Sequence, residues 1–462
     1  MLALLAASLG TAAPASAASR PGLACGTVVT SSTRLMADVG PCAAGGLIIG
    51  ADGVTLDLGG HKVLGTLNPT PGQASNTANA AGITLRNTRG STVTNGEVLR
   101  FAVGVQIGRG AANHVTRLNV HDNLGRDNGD GIAVFGSDHN RIDANRVVHN
   151  GQWSGISLLN AGDFGSNYNQ IVDNVVLGNN VPMFDDQGTP IDKRDVGIAV
   201  EGPGATHNEV IGNVVDGSGT NGIQVFPDCS SGYDISTGCP HTVPNNDNVI
   251  AGNTVTHNGF GAPLDGALGD GILLQAMGPP VISMPNHNTV VNNRVLGNQR
   301  NGITLGGGNG QELSMTPWTT GAENYGCFIS PDPDDPRVDT PNLCGVKDNT
   351  VAGNTSSGNG IDGIYVGPRS DGNRIFQNTT DNNGKDGIGL GLAVRTGPGQ
   401  VLVVDSHGVP VTVPGSGARN NMLGQNRGSG NHRMDGVDED PACGSNRWVQ
   451  DHFATVNQPC VR

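Results

Sequence analysis

The chain has 462 residues and a formal net charge of −14 at pH 7, with 73 glycines but only 3% aromatic residues. An ordinary globular core of large side chains is therefore not expected, yet 36% hydrophobic residues, many of them Val, Ile and Leu at regular intervals, exclude a disordered chain. The negative charge argues against nucleic acid and anionic membranes as partners, because binding to these depends on Lys and Arg.

The N-terminal segment is predicted to be an export signal. Residues 1–10 form an apolar run, and the small residues Ala15, Ser16 and Ala17 follow in the pattern that signal peptidases cleave. A membrane anchor is the alternative, but the apolar stretch is too short to span a bilayer. We therefore expect residues 1–18 to be removed and the protein to be secreted, with no membrane insertion.

Eight cysteines agree with an extracellular, oxidising location. Three of the four sequential pairs are 17 residues apart, which favours local disulfide bridges. The expected pairs are Cys25 with Cys42, Cys229 with Cys239, Cys327 with Cys344, and Cys443 with Cys460. Zinc binding is disfavoured, since no pair has a tight Cys-x-x-Cys spacing.

An internal repeat covers most of the remaining chain. Its first half reads Asn-x-apolar-x-x-Asn-x-apolar-x-x-Asn, and its second half reads Gly-apolar-x-apolar. Copies without an insertion recur after 24 residues, as from Asn349 to Asn373 and from Gly363 to Gly387. This period is too short for a helical hairpin, and the alternation around each glycine indicates strands. We predict an all-β fold, a right-handed parallel β-helix solenoid of about ten coils.

Each residue type in the repeat has a mechanical role. Aliphatic pairs such as Ile132 and Val134 point to one side of the strand, so that stacked copies form an inward ladder. The asparagines are predicted at bends, where Asn tolerates left-handed backbone and can hydrogen-bond the equivalent Asn of the next coil. A catalytic role is therefore not expected for the repeated asparagines.

The stretch from Leu47 to His61, which reads Leu-Ile-Ile-Gly-Ala-Asp-Gly-Val-Thr-Leu-Asp-Leu-Gly-Gly-His, resembles the first coils of a known group. These are the secreted right-handed β-helix repeat proteins of the pectate-lyase-like superfold, which has periplasmic copper-maturation relatives. The resemblance extends over nearly all of the chain after the signal. It implies the fold but no single reaction, because the superfold includes lyases, hydrolases, epimerases and proteins without known chemistry.

The ends of the solenoid are expected to be capped. A solenoid exposes its core at both termini, so we assign residues 19–46 to an N-terminal cap, 47–435 to the β-helix and 436–462 to a C-terminal cap. Each cap contains one of the expected disulfides. Trp448 is predicted to cover the terminal core.

Insertions gather at both ends of the Gly-apolar-x-apolar strand. They comprise residues 181–195, 227–246, 260–269, 276–287, 306–347 and 393–418. Extra residues in a solenoid often mark the binding face, so we expect them to wall a groove whose floor is the outward side of this strand column. The candidate catalytic residues are Glu201, Asp195, Asp270, Lys193 and Arg194, and the candidate substrate-binding residues are Gln224, Gln275, Tyr365, Trp318 and Arg300.

Two reactions fit these residues. Hydrolysis with inversion needs two carboxyls about 6.5–9.5 Å apart, and Asp195 and Asp270, which are two coils apart, are expected about 10 Å apart. Elimination from a uronic acid needs a cation or Ca²⁺ on the substrate carboxylate, together with a base such as Lys193 or Arg194. Ca²⁺ is therefore the one candidate cofactor, and its ligands stay unassigned.

Competing interpretations remain open. The leading one is a secreted, monomeric polysaccharide lyase or glycoside hydrolase. The alternative is a non-catalytic extracellular or envelope protein that binds a glycan, which the scarcity of aromatic residues favours. A turn role competes with catalysis wherever Asp precedes Gly, as it does at Asp130, Asp270, Asp362 and Asp386. A copper or zinc site is disfavoured among the scattered histidines His61, His121, His149 and His257.

Overall fold

The computed structural model describes eighteen stretches of the chain. They are residues 22–66, 80–125, 129–151, 153–160, 165–179, 183–184, 190–191, 196–202, 204–226, 245–260, 269–276, 285–307, 345–367, 370–391, 393–397, 400–403, 411–412 and 417–462. The predicted export signal lies outside them. The described strands stack in parallel coils, and the chain forms a right-handed parallel β-helix, which confirms the predicted fold class.

One side of the solenoid is a parallel sheet of thirteen strands, called the first sheet below. In spatial order these are Val28–Val29, Leu47–Ile49, Ala81–Arg86, Val103–Gly108, Ile132–Phe135, Ser154–Leu159, Val196–Glu201, Ile223–Phe226, Ile272–Ala276, Ile303–Gly307, Ile364–Val366, Asp386–Leu390 and Met434–Asp438. The register joins equivalent repeat positions, for example Ile132 with Ile156 and Ile156 with Ile198. The stack extends into both segments that the sequence assigns to caps.

The rest of each coil contributes two short strands to a second parallel ladder. The first arm contains Thr33–Arg34, Thr55–Asp57, Arg141–Asp143, Gln170–Val172, Glu209–Ile211, Val249–Ala251, Thr289–Val291, Thr350–Ala352, Arg374–Phe376, Met422–Gly424 and Arg447–Val449. The second arm contains Val39–Cys42, Lys62–Gly65, Arg146–Val148, Val175–Leu177, Val214–Asp216, Thr254–Thr256, Arg294–Leu296, Thr355–Ser357, Thr379–Asp381, Arg427–Ser429 and His452–Phe453. Two longer strands, Thr92–Leu99 and His114–His121, pass through both arms.

A few described elements lie outside this stack. Met183–Phe184 pairs antiparallel with Pro190–Ile191, and Ala393–Gly397 pairs antiparallel with Gln400–Val403 and Val411–Thr412. The one described helix is a 3-10 turn, Pro441–Cys443. No helix in the described residues is long and apolar enough to cross a membrane.

The predicted inward ladder forms the core. Ile132, Val134, Ile156 and Leu158 are all fully buried and belong to one aliphatic cluster that runs the length of the solenoid. Fully burying a side chain of this size contributes about 1.5–3 kcal/mol, and each coil repeats the contribution.

The repeated asparagines form side-chain ladders between coils, as predicted. Asn145 donates from its backbone N–H and from Nδ2 to Asn174 Oδ1, both at 3.0 Å. Asn253 makes the same two contacts to Asn293 Oδ1, both at 2.9 Å. These amides are buried, so each ladder satisfies backbone groups at a bend that no strand pairing reaches.

The repeat glycine is required by close packing. A Cβ at Gly131 would lie 2.6 Å from the backbone oxygen of Gly155 and 2.9 Å from Asn150 Nδ2. Because the next coil and an asparagine ladder occupy this space, even alanine would force a backbone shift.

Two of the four expected disulfides are confirmed. Cys25 and Cys42 are joined with their Cα atoms 5.5 Å apart, and Cys443 and Cys460 with theirs 6.2 Å apart. The pairs Cys229–Cys239 and Cys327–Cys344 lie outside the described residues and stay predictions.

Trp448 covers the end of the core, as predicted. Its side chain is 6% exposed, packs edge-on against Phe453 at 6.0 Å and belongs to the aliphatic cluster. The indole Nε1 donates to Asp438 Oδ2 at 3.1 Å, so the one polar atom of the ring is satisfied inside the cap.

Candidate active site on the first sheet

The outer face of the first sheet is buried. The outward residues two positions after the repeat glycine are at most 9% exposed, namely Ala133, Ser157, Ala199, Gln224, Leu273, Thr304 and Tyr365. Outward residues of the second ladder are more open, and Val214 there is 38% exposed. The predicted groove floor is thus a shielded surface, on which charged groups lose much of their hydration.

A row of side chains, polar except for Val196, lines this face immediately before the repeat glycines. The row, called the pre-glycine row below, comprises Asp130, Ser154, Val196, Asn221, Asp270, Asn301, Asp362 and Asp386. Three of its members accept the backbone N–H of the next coil through Oδ1: Asn301 N–H donates to Asp270, Asp362 N–H to Asn301 and Asp386 N–H to Asp362, all at 3.0 Å. These residues therefore do hold the bend, as the turn interpretation predicts.

Two carboxyls of the row converge at one point. A Cβ built at Gly389 would lie 3.4 Å from Asp362 Oδ2 and 3.7 Å from Asp386 Oδ2. The two oxygens are therefore at most about 7 Å apart, a span that includes the roughly 5–5.5 Å carboxyl separation of retaining glycosidases. Gly389 has no side chain, so both oxygens face a small gap. The Tyr365 hydroxyl lies one coil away, where a Cβ at Gly391 would overlap it.

The two carboxyls have different electrostatic surroundings. Burial raises the pKa of Asp362 to about 7, and the charge of Asp386 adds to the rise, although Lys385 and Arg433 oppose it. Asp386 is held by the Arg433 guanidinium, whose Nε donates to Oδ1 at 2.8 Å and whose second nitrogen donates to Oδ2 at 2.6 Å. The site thus combines an acid that keeps its proton up to neutral pH with a carboxylate in an ion pair. The Arg433 side chain is 44% exposed and that of Asp386 is 1% exposed, so the guanidinium lies between the buried carboxylate and solvent.

Asp130 shows how burial affects the pKa of a carboxyl in this row that has no acidic neighbour in the row. It is 1% exposed, and burial raises its pKa to about 7 against a hydrogen bond from Ser157 and one from the Ser154 backbone. Its neighbours in the row are Val103 and Ser154, so no second carboxyl lies beside it. Asp130 is therefore a matched comparison for Asp362.

Six of the ten predicted site residues lie in the described part of the chain. Gln224 and Gln275 are brought together, with Gln224 Nε2 donating to Gln275 Oε1 at 3.0 Å. Glu201 ends its strand in register with Phe226 and is half-buried. Arg300 and Tyr365 are buried, at 3% and 9% exposure.

The structure therefore places the two predicted floor amides, Gln224 and Gln275, in contact. It does not test whether the five predicted catalytic residues form one site. Asp270 takes a bend position in the pre-glycine row. Asp195, Lys193, Arg194 and Trp318 lie outside the described residues. The roles assigned to these residues stay predictions.

Sequence reasoning missed Asp362, Asp386, Lys385 and Arg433 as a group. One signal was present: Asp362 and Asp386 are 24 residues apart, with no insertion between them, so they had to fall in adjacent coils. The common turn role of Asp before Gly concealed this pairing. An aspartate can hold a bend with one carboxyl oxygen and still direct the other toward a neighbouring carboxyl.

Several of the described histidines contact an acidic side chain. His149 Nδ1 contacts Asp122 Oδ1 at 2.6 Å, and His257 Nδ1 contacts Asp216 Oδ1 at 2.8 Å. No three His, Cys, Asp or Glu side chains in the described ranges converge as metal ligands.

One protein family matches part of this chain. Residues 103–330 match the family model described as right handed beta helix region. No curated protein matches the chain. Among solved structures, a mutant of the periplasmic alginate epimerase AlgG is similar at 12% identity and TM-score 0.42, over 74% of this chain and 66% of its own.

Two further similar structures are the A-module of the mannuronan C-5 epimerase AlgE4 from Azotobacter vinelandii and the catalytic domain of an alpha-1,3-glucanase in complex with nigerose. The first has 13% identity and TM-score 0.43, covering 90% of this chain and 88% of its own. The second has 14% identity and TM-score 0.41, covering 94% and 64%. This chain is a right-handed parallel β-helix protein.

Proposed function

We propose that this protein hydrolyses a glycan at the gap between Asp362 and Asp386. The observation that carries the proposal is the convergence of the two Oδ2 atoms over Gly389, in a row of amide and hydroxyl groups. Such a row suits an extended polymer rich in hydroxyl groups, because from Asn221 to Asp386 every coil presents a hydrogen-bonding side chain about 4.8 Å from the last. An action on glycans is also what the names of the similar structures describe for those proteins.

The chemistry follows from the two environments. Protonated Asp362 gives its proton to the leaving glycosidic oxygen as the bond from that oxygen to the anomeric carbon breaks. The Asp386 carboxylate then bonds to the anomeric carbon. Water displaces it, giving one proton to Asp362, so that the net reaction adds one water across the bond. Placement of the two residues in adjacent coils favours retention of anomeric configuration.

The electrostatics also set the pH range. Because the raised pKa of Asp362 is about 7, the acid is protonated below that pH and ionised above it. Activity should therefore fall as pH rises through about 7.

Asp362→Asn tests the proposal. Asn can still accept the Asp386 N–H through Oδ1, as Asn301 accepts that of Asp362, so the fold should be retained. Loss of the proton donor should lower glycan hydrolysis at least ~10²-fold. Asp130→Asn is the control, since it makes the same change in the same row away from the pair, and its activity should match the parent protein. A fully active Asp362→Asn protein would overturn the assignment.

The setting of the reaction is part of the proposal. Two described disulfides fit an oxidising compartment, so we propose a secreted protein that works as a monomer. If the purified protein binds glycans but releases no reducing ends from any, the non-catalytic alternative replaces hydrolysis.

A further inference from the structure

We propose that the glycan is electrically neutral, an inference that rests on the proposed function and names its substrate class. The observation behind it is that cations along the described part of the pre-glycine row are matched to carboxyls. A polyuronate would need surplus positive charge to hold one carboxylate per sugar, whereas a neutral chain would need only hydrogen-bonding groups.

The matching follows the register of the first sheet. Asp386 is bound by Arg433 of the next coil, through Nε at 2.8 Å and a second nitrogen at 2.6 Å. Lys385 stands in the equivalent place one coil beyond Asp362, where its charge opposes the rise in the pKa of that carboxyl. By sequence position, Arg300 stands in the same place one coil beyond Asp270. Each cation thus follows an acid by one coil.

The charge of the best-defined cation is already offset by carboxylates of the protein itself. Arg433 contacts a second acid, Glu439 Oε1, at 2.9 Å, so two carboxylates share one guanidinium. With Asp362 protonated, as the proposed reaction requires, the charges of Asp386 and Glu439 balance those of Arg433 and Lys385, so no surplus positive charge remains to bind a uronate. The whole-chain charge of −14 also disfavours an anionic polymer.

Amide and hydroxyl side chains of the floor between Asn221 and Thr304 are already ordered. Asn221 Nδ2 donates to Gln224 Oε1 at 3.0 Å, and Asn301 Nδ2 donates to Thr304 Oγ1 at 3.0 Å. Amides and hydroxyls in this state recognise sugar hydroxyls through their remaining donors and acceptors.

The test is a panel of polysaccharides given to the full chain. Dextran, β-glucan and galactomannan represent neutral chains, and polygalacturonate and alginate represent uronates, each with Ca²⁺ and with a chelator. We expect reducing ends from a neutral polymer only, without new ultraviolet absorbance, and loss of this activity in Asp362→Asn. Products from uronates alone would overturn the neutral assignment and leave glycan action standing. No product from any polymer would instead overturn the proposed hydrolysis.

A second measurement distinguishes two roles of Lys385, lowering the pKa of Asp362 and binding an anionic substrate. With a neutral substrate, KM should be independent of ionic strength, because no substrate charge is screened. Lys385→Met should then leave KM unchanged and move the alkaline limb of the pH profile upward, since the charge that opposes the raised pKa of Asp362 is removed. An increase in KM with salt, or a raised KM with an unmoved pH profile in Lys385→Met, would show that Lys385 binds an anionic substrate.

Discussion

The buried carboxyl of Asp130 should make the protein less stable as pH rises, and Asp130→Asn should remove that loss. Asp130 is 1% exposed, and burial raises its pKa from 3.8 to about 7. Well below pH 3.8 the group is protonated in both folded and unfolded chains, so it has no effect. Between pH 4 and 7 the unfolded chain releases the proton and the folded chain keeps it, so the free energy of unfolding falls.

The size of the effect follows from the shift. Each unit of pKa difference corresponds to about 1.36 kcal/mol, which sets a ceiling of about 4 kcal/mol, and local relaxation reduces the expected value to roughly 2 kcal/mol. Asn fits the site because Asn221 and Asn301 occupy the equivalent position in other coils. Its Oδ1 can accept from the Ser157 hydroxyl, as the Asp130 carboxyl does.

The assay is chemical denaturation of both proteins from pH 4 to pH 8. The stability advantage of Asp130→Asn over the parent should be smallest near pH 4, increase up to about pH 7 and then level off. Asp143→Asn is the opposite control: burial raises the pKa of Asp143, but hydrogen bonds from His114 and Thr116 lower it overall. Asp143 therefore contributes stability that is lost as pH falls, and its replacement should be most costly at high pH. Equal pH dependence in the parent and Asp130→Asn would refute the reasoning.

Two further predictions concern the ladder and the floor. Asn293→Ala should lower the free energy of unfolding by about 2–4 kcal/mol in denaturant titration, because buried donors of the adjacent coil lose their acceptor; a cost below about 1 kcal/mol would show that the ladder is dispensable. Glu201→Gln should unfold at the parent temperature and, if Glu201 transfers a proton, lower any glycan activity at least ~10²-fold; a stable and fully active variant would remove Glu201 from the mechanism.

The repeat made the fold predictable. A 24-residue period with alternating aliphatic residues admits few structures, so the inward ladder and the amide ladders followed from chain spacing alone. The terminal disulfides and the covering role of Trp448 followed from the need to close the ends of a solenoid. Each of these depends on local spacing or on a requirement that every coil shares.

The candidate site depended on information that spacing does not carry. The residues Asp130 and Asp362 have the same sequence context, Asp before Gly-Ile, yet only Asp362 has a second carboxyl in the adjacent coil. The pairing of Asp386 with Arg433 spans 47 residues and an insertion, so it emerges only once the coils are stacked. Burial of the outer face was equally invisible, because the alternation that predicts an outward side chain says nothing about what shields it.

The asparagine ladders allow the segments between coils to change length during evolution. Asn288 Nδ2 reaches Asn349 Oδ1 at 3.2 Å across 61 residues, and Asn349 Nδ2 reaches Asn373 Oδ1 at 3.1 Å across 24 residues. The same hydrogen bond therefore forms whether 24 or 61 residues separate the two asparagines. Loop-closure entropy makes the longer connecting segment only about 0.8 kcal/mol more costly. Mutation can therefore lengthen, shorten or replace such a segment while the coils keep their register. New specificities can therefore arise by exchange of loops between relatives, without compensating changes in the coils that carry them.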